Sequence, residues 1–305
     1  MLLFILKRLG LAILVAFTVS FLSFSLLFLA GDPAAALAGE TASGEDIESI
    51  RKLYGFDRPM LVQYGDWLIS ALQFDFGQSY YFRLPVSSLI AERLSVTMTL
   101  GLCGITFAIL TAVPLGVAAA VRPNSLIDRI ALFLSVAGQA MPSFWFGLIL
   151  MVIFAIKLGW LPPSGSETPA HFIMPTIVLG YYAMPAIMRL TRAGMLDVLN
   201  SDYIRTARAK GAPEGRVLFR HALRNAIIPV VSLAAVQMGF MLGGSIVVES
   251  IFALHGAGFL AWESIARNDL PTVQALILVF SMFYIVFIFL ADVLNAWLDP
   301  RMRSS

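Results

Sequence analysis

The sequence predicts an all-α, polytopic membrane protein with six transmembrane helices and both termini on the cytoplasmic side. Three observations lead there. Of the 305 residues 59% are hydrophobic and only 13% charged, against about 25% charged in soluble chains, and the mean hydropathy is +0.83. Six runs free of Asp, Glu, Lys and Arg are long enough to cross a hydrocarbon layer, which takes about 17–25 apolar residues. The basic residues then divide unevenly between the two sides of those runs.

The spans lie at about 9–30, 94–121, 130–156, 172–189, 225–249 and 271–298. The first follows Lys7 and Arg8 as a secretory signal would, but its 22 uncharged residues exceed the roughly 7–15 of a signal core, so it reads as an uncleaved span. The fourth contains Pro175 and Pro185, which remove backbone donors and predict a bent helix supported by its neighbours. With the N-terminus inside, the inner segments carry 14 of the 21 basic residues and a net charge of +8, and the outer segments carry −6.

Two connections are long. The outer one, about 31–93, reads as a helical cap. Ser43-Gly44-Glu45-Asp46 has the form of a capped helix start. A second helix over 60–74 puts Tyr64 and Trp67 on its apolar stripe and Gln63, Asp66 and Ser70 on its polar one. That stripe suits either the headgroup layer or the outer ends of the spans, and both readings stay open. The inner connection, about 190–224, reads as helix, turn, helix. No Pro or Gly interrupts 197–210, Gly211 suits a left-handed helix end, and Pro213 suits the first position of the next helix. Arg216, Arg220 and Arg224 follow at intervals of four. Protein docking and contact with anionic lipid both remain open for this basic segment.

Chemistry of the chain's own is scarce. A lone cysteine, Cys103, excludes an internal disulfide and a thiolate metal cluster, and a net charge of +2 gives no reason to expect nucleic acid. There is no G-x-x-x-x-G-K-[ST] phosphate loop, and His171, His221 and His255 form no metal pair. Gly243-Gly244-Ser245 in the fifth span has the look of an intramembrane serine hydrolase, but no later span supplies a histidine base. Gly239 and Gly243 fit close helix packing instead. Asp292 in the sixth span reads as a carboxylate near the cytoplasmic end paired with a loop arginine, with a proton relay as the other reading. Gln139 and Gln237 suit either a polar passage or a hydrogen bond between helices, and with Glu249 they are the candidate passage-lining residues. A proton-coupled secondary transporter is the alternative function, but it would show more buried ionisable groups and a repeat between halves.

At the inner loop the chain resembles a known family. Asp202-Tyr203-Ile204-Arg205-Thr206-Ala207-Arg208-Ala209-Lys210-Gly211, then His221-Ala222-Leu223-Arg224-Asn225-Ala226 and Pro229, is similar to the coupling loop of ABC importer permeases of the oligopeptide, dipeptide and nickel branch. The similarity continues in Gly31-Asp32-Pro33-Ala34, Asp57-Arg58-Pro59, Asp75-Phe76-Gly77-Gln78-Ser79, Arg83-Leu84-Pro85, Pro142-Ser143-Phe144-Trp145-Phe146-Gly147, Leu158-Gly159-Trp160-Leu161-Pro162 and Asp299-Pro300-Arg301-Met302-Arg303. The general permease loop has E-A-A where this chain has Arg205-Thr206-Ala207, a variant typical of this branch. The family's proline before the outer glycines is absent from 254–258.

The resemblance implies an ABC importer permease fold that fills 1–305 as one transmembrane domain. It also implies a non-catalytic subunit in a bacterial inner membrane, importing a solute by alternating access, with peptides the leading class. Expected partners are a second homologous permease, two ABC ATPase subunits that bind ATP and magnesium, an extracytoplasmic solute-binding protein and the lipid bilayer; no cofactor is expected in this chain. Asp202, Tyr203, Arg205, Thr206, Ala207, Arg208, Lys210, Gly211 and Pro213 would couple to the ATPases, and Asp57 and Asp66 would receive the binding protein.

Overall fold

The computed structural model describes residues 2–29, 31–39 and 42–298. The end of the first span at Ala30 and the string 299–303, with Arg301 and Arg303 of the charge count, lie outside the described residues. Helix accounts for nearly all regular structure there, beside one isolated bridge between Gln78 and Pro85. In order these are α1 (Leu2–Leu29), the cap helices α2 (Pro33–Ala38), α3 (Gly44–Leu53) and α4 (Met60–Leu72), then α5 (Val86–Val121), α6 (Leu126–Ala140), α7 (Ser143–Leu150) and α8 (Ile173–Leu199). There follow α9 (Asp202–Ala209), α10 (Glu214–Arg216), α11 (Leu223–Ala226), α12 (Ile228–Phe252), α13 (Ala257–Ala266) and α14 (Leu270–Leu298). Wider π turns extend α7 over Met151–Lys157 and join α10 to α11 over Val217–Ala222.

Four helices among the described residues, α1, α5, α8 and α14, are long and apolar enough to cross a membrane unbroken, and bent pairs raise the number to as many as seven. The third expected span is such a pair, a departure from the uninterrupted run read over 130–156. Met141 is extended (ψ 128) because the following Pro142 crowds an α conformation and lacks the N–H to continue the helix, and α6 meets α7 at 105°. The fourth span departs the other way. Instead of ending near 189, α8 runs through Pro185 to Leu199; at 1.5 Å per residue its 27 residues reach about 40 Å, beyond a layer of about 30 Å. Pro175 stands in the first turn of α8, where a missing N–H costs nothing. Charge-free runs mark where lipid ends, not where helices end.

The cap forms as its sequence indicates. Ser43 and Asp46 exchange capping hydrogen bonds, with the Ser43 Oγ accepting from the Asp46 N–H at 3.3 Å and Asp46 accepting from the Ser43 N–H at 3.0 Å. The Ser43 hydroxyl also donates to the Asp46 carboxylate at 2.7 Å, and this bond, with that from the Ser43 N–H, holds the carboxyl below its ordinary range. Of the two readings left open for α4, packing on the spans is the one seen within this chain. Tyr64 is buried, shares a 2.8 Å hydrogen bond with Ser20, and meets Phe17, Phe21 and Phe24 of α1 ring to ring.

The bundle centres on α5 against α8. Lipid tails are as apolar as leucine, so helices in a bilayer gain from close approach and good fit instead of from leaving water. Gly180 makes that approach possible: a Cβ there would come within 2.5 Å of the Gly104 carbonyl oxygen. A Cβ on Gly116 would likewise come within 2.8 Å of the Met188 carbonyl oxygen. Around this crossing pack Leu100, Ala108, Ala112, Leu179, Ala183, Ile187 and Met188. On the other flank Gly239 of α12 receives the Tyr284 ring of α14, whereas Gly243 has open space before it. Polar locks gather at the two ends. Asp128–Arg192, Arg8–Asp292 and α9 occupy one end, and the cap, Glu249 and Asp269 the other.

Overpacking a fitted interior costs typically 1–3 kcal/mol. Gly180→Ala is therefore expected to lower the unfolding midpoint of the purified protein by about that equivalent, while Gly243→Ala leaves it unchanged. Thermal unfolding in detergent compares the two.

Candidate functional site

The basic helix pair is built around one glycine. Helix α9 ends at Ala209, Lys210 caps it, and Gly211 adopts φ +76°. The Gly211 N–H then donates to the Arg208 carbonyl at 2.9 Å and the Ala212 N–H to the Ala207 carbonyl at 3.2 Å. Together these form a Schellman motif that satisfies two otherwise orphaned carbonyls. A Cβ on Gly211 would meet nothing within 4 Å, so glycine is favoured there by backbone conformation alone. Pro213 (φ −63°) is the N-cap and Glu214 the first helical residue, one place off the expected position. Arg208 reaches across the turn to Glu214 at 2.6 Å, raising its own pKa and holding the Glu214 carboxyl below its ordinary range. This exposed pair is intact at neutral pH and is lost as pH falls through that depressed value. Arg208 thus braces the turn, and Asp202 pairs with Arg205 at 3.1 Å within α9.

The pair is seated firmly. Ile204 of α9, with no exposed surface, packs with Val217, Ala222 and Ala226 of the second helix, Met195 of α8 and Val117 and Ala120 of α5. The Asn225 amide donates to the Tyr203 hydroxyl at 2.7 Å, and Gly194 of α8 lets the Ala226 backbone come close. The outward face keeps Asp202, Arg205, Thr206, Arg208, Lys210 and Gly211 exposed, while Ala207 is half-buried. Beside them Phe219 is 66% exposed. Nearby, Asp128 at the start of α6 is almost wholly buried and accepts both arms of Arg192 of α8, at 2.6 and 2.8 Å.

Between α7, α8 and α12 lies a cavity of about 470 Å³, lined by Ser143, Val178, Leu179, Tyr182, Gln237, Gly243 and Val247 among others. Of the three residues expected to line a passage, Gln237 is on this wall. Gln139 is exposed near the end of α6. Glu249 is not at a passage surface. It has no exposed area, accepts from the Thr97 hydroxyl at 2.7 Å and from the Phe259 N–H at 2.7 Å, and so caps the start of α13. A carboxylate among apolar helices is tolerable only with such donors. Ser245 is buried and donates to the Leu242 carbonyl at 3.0 Å. Asp292 is paired, at 3.1 Å, but with Arg8 of the first helix and not with a loop arginine. In the cap Asp57 is exposed, whereas Asp66 pairs with Arg58 at 2.7 Å. Among the described residues no cluster of metal-ligating side chains occurs.

Comparison with known proteins decides the family. Residues 112–304 match the binding-protein-dependent transport system inner membrane component family, and residues 1–101 match the N-terminal part of the same membrane component. The chain belongs to that family. It is 42% identical to the glutathione transport system permease protein GsiC of Salmonella typhi and 41% to that of Escherichia coli K12, each over 304 residues and 99% of both chains. The fold is shared with solved ABC transporters. The MetNI methionine ABC transporter in inward-facing form aligns with a TM-score of 0.57 at 18% identity over 69% of this chain and 96% of that one. An amino acid ABC transporter with histidines aligns at 0.53 and 15%, over 69% and 94%. The protein is therefore an inner-membrane permease subunit of an ABC importer.

Sequence reasoning missed three structural carboxylate locks in this permease. Asp128 meets Arg192 64 residues away. Asp269, buried at the start of α14, accepts from the Ser79 hydroxyl at 2.6 Å and the Tyr80 N–H at 2.8 Å, tying the cap down. Thr97 accepts the Ala257 N–H at 2.8 Å and shares with Glu249 the capping of α13, a helix the sequence reading did not place. Asp269 precedes Thr272 by three residues, a capping signal that was available. The other two locks have no local signature.

Leaving a buried donor unpaired costs about 1–3 kcal/mol. Glu249→Ala should destabilise the permease by about that amount and speed amide exchange across α13, with exchange in α9 unaffected. Hydrogen–deuterium exchange by mass spectrometry resolves both segments.

Proposed function

We propose that this permease forms half of a solute passage, pairs with a second homologous permease, and is driven by two ABC ATPase subunits that dock on the α9–Gly211–α10 turn from the cytoplasm. One observation carries the reading: the basic pair is a rigid, self-capped unit seated on α5 and α8, with its polar residues facing outward. A lipid-binding patch needs only charge; a part that transmits force needs a fixed geometry and a firm seat. On this reading Asp202, Tyr203, Arg205, Thr206, Ala207, Arg208, Lys210, Gly211 and Pro213 form the coupling surface. ATP and magnesium are bound by the partners, and the two states of the passage differ in contacts made at this surface. The chain acts as one transmembrane unit. Gln237 faces the solute, and Asp57 with Asp66 on the cap meets an extracytoplasmic binding protein. Peptides are the solute class, supported by relatives named for transport of glutathione, itself a small peptide.

The decisive experiment places Gly211→Val in the reconstituted complex. A side chain held in the left-handed region costs roughly 1 kcal/mol or more. That is too little to unfold the bundle, yet it is enough to misdirect the second helix. Membrane level and assembly should be normal and uptake lost, with ATP hydrolysis abolished or deaf to the binding protein. Normal uptake at normal level would instead assign the loop to lipid contact.

Asp57→Lys should weaken delivery by the binding protein before it affects assembly, because Asp57 is exposed and outside the Arg58–Asp66 pair. Uptake measured against binding-protein concentration, alongside pull-down of the complex, separates these effects.

A further inference from the structure

Helix α6 rests on α8 through small side chains. Its inward residues are Ala131, Ser135 and Gly138, below Asp128. Gly138 lies against Pro185 and Tyr181, and the Ser135 hydroxyl reaches the Pro185 carbonyl only at 3.5 Å. Besides the Tyr181 ring seated on Gly138, whose hydroxyl donates to the Leu134 carbonyl at 3.4 Å, α6 offers α8 no large side chain, and packed helices of this kind move by small shear. At the cytoplasmic end the contact is different. Asp128 takes both arms of Arg192, and its other oxygen contacts include the Asn124 N–H at 2.8 Å, so the carboxylate is fully engaged and cannot swing to another partner. A bidentate guanidinium–carboxylate pair fixes both distance and orientation.

The two ends of α6 face different tasks. Arg192 belongs to the stretch of α8 that carries Gly194 and Met195, on which Ala226 and Ile204 of the coupling pair are seated. The far end of α6 is the break at Met141–Pro142, and Ser143 immediately beyond it lines the cavity that holds Gln237. Resting on the coupling reading above, we propose that the Asp128–Arg192 clamp keys α6 to α8, so that a displacement of the coupling pair is carried along α6 to the break beside the passage. Asp128 and Arg192 are positioning residues for energy coupling. Without the clamp α8 still moves with the coupling pair, but α6 slips on its small-residue face and the break stays behind.

Paired spin labels read this directly, and without knowledge of the solute. In a Cys103→Ala background, one assembled complex carries Val136→Cys on α6 with Val286→Cys on α14, and another carries Ile173→Cys on α8 with the same α14 position; all three sites are exposed in this chain. Distances are measured by electron paramagnetic resonance in the complex with its ATPases, without nucleotide and with ATP plus vanadate. Both distances are expected to change in the parent complex. In Asp128→Asn the α8 change persists and the α6 change is lost, and the exchanged pair Asp128→Arg with Arg192→Asp restores it. An α6 change of full size in Asp128→Asn overturns the proposal. If Asp128→Asn fails to assemble, Arg192→Lys, which keeps the charge and loses the fork, gives the same reading. A parent complex in which neither distance responds to nucleotide overturns the coupling reading itself, and with it this one; a Gly211→Val complex that loses both changes while Asp128→Asn keeps both leaves the coupling reading standing and removes only the clamp.

Discussion

Inside a bilayer apolar surfaces gain little by meeting each other, and what holds one helix to the next is the closeness of the fit. In this permease that closeness is concentrated where α5 crosses α8, with Gly104 and Gly180 in backbone contact and Gly116 against the backbone of Met188. The remaining elements take their places from this crossing. Helix α6 lies on α8, α12 lies on α5 and α8, α14 closes on α12 through Gly239 and Tyr284, and α1 lies on α14 at the edge.

A second constraint acts on the carboxylates. Of the buried acids of the bundle, Asp128 and Asp269 sit at the starts of α6 and α14, while Glu249, near the end of α12, reaches across to the start of α13; each accepts several donors. Helix starts expose N–H groups that nothing within the helix can satisfy, and a carboxylate out of water needs donors. The two needs meet at the Phe259 N–H held by Glu249; Asp128 instead draws on Arg192 and the Asn124 N–H, and Asp269 on Ser79, the Tyr80 N–H and Thr272. Breaking one such pair leaves an uncompensated buried group, at a cost of about 3–5 kcal/mol for a charge.

The same arrangement gives the permease its division of parts. The wall of the cavity between α7, α8 and α12 is largely apolar, with Gln237, Ser143 and Tyr182 as its polar points. The cytoplasmic turn has its shape set by a glycine and its seat in a packed core around Ile204.

Much of this was legible in the chain itself. The spans followed from charge-free runs, because a lipid-facing helix cannot carry charge. The Ser43 capping box and the Gly211 turn followed from contacts within a few residues, which sequence spacing records directly. The family was legible in the loop from Asp202 to Gly211. Four matters were decided only by tertiary structure. The run 130–156 breaks at Pro142, although Pro185 leaves α8 continuous, because the partners around a proline determine which one is accommodated. Helix α13 exists because Thr97 and Glu249, 152 residues apart, come together to cap it. Glu249 reads in sequence as a passage acid and is a buried cap in the fold. Asp128 finds Arg192 across another such distance. Local propensity and solvent preference are written along the chain; the pairing of buried charges is a property of which surfaces meet, and only the folded bundle determines that.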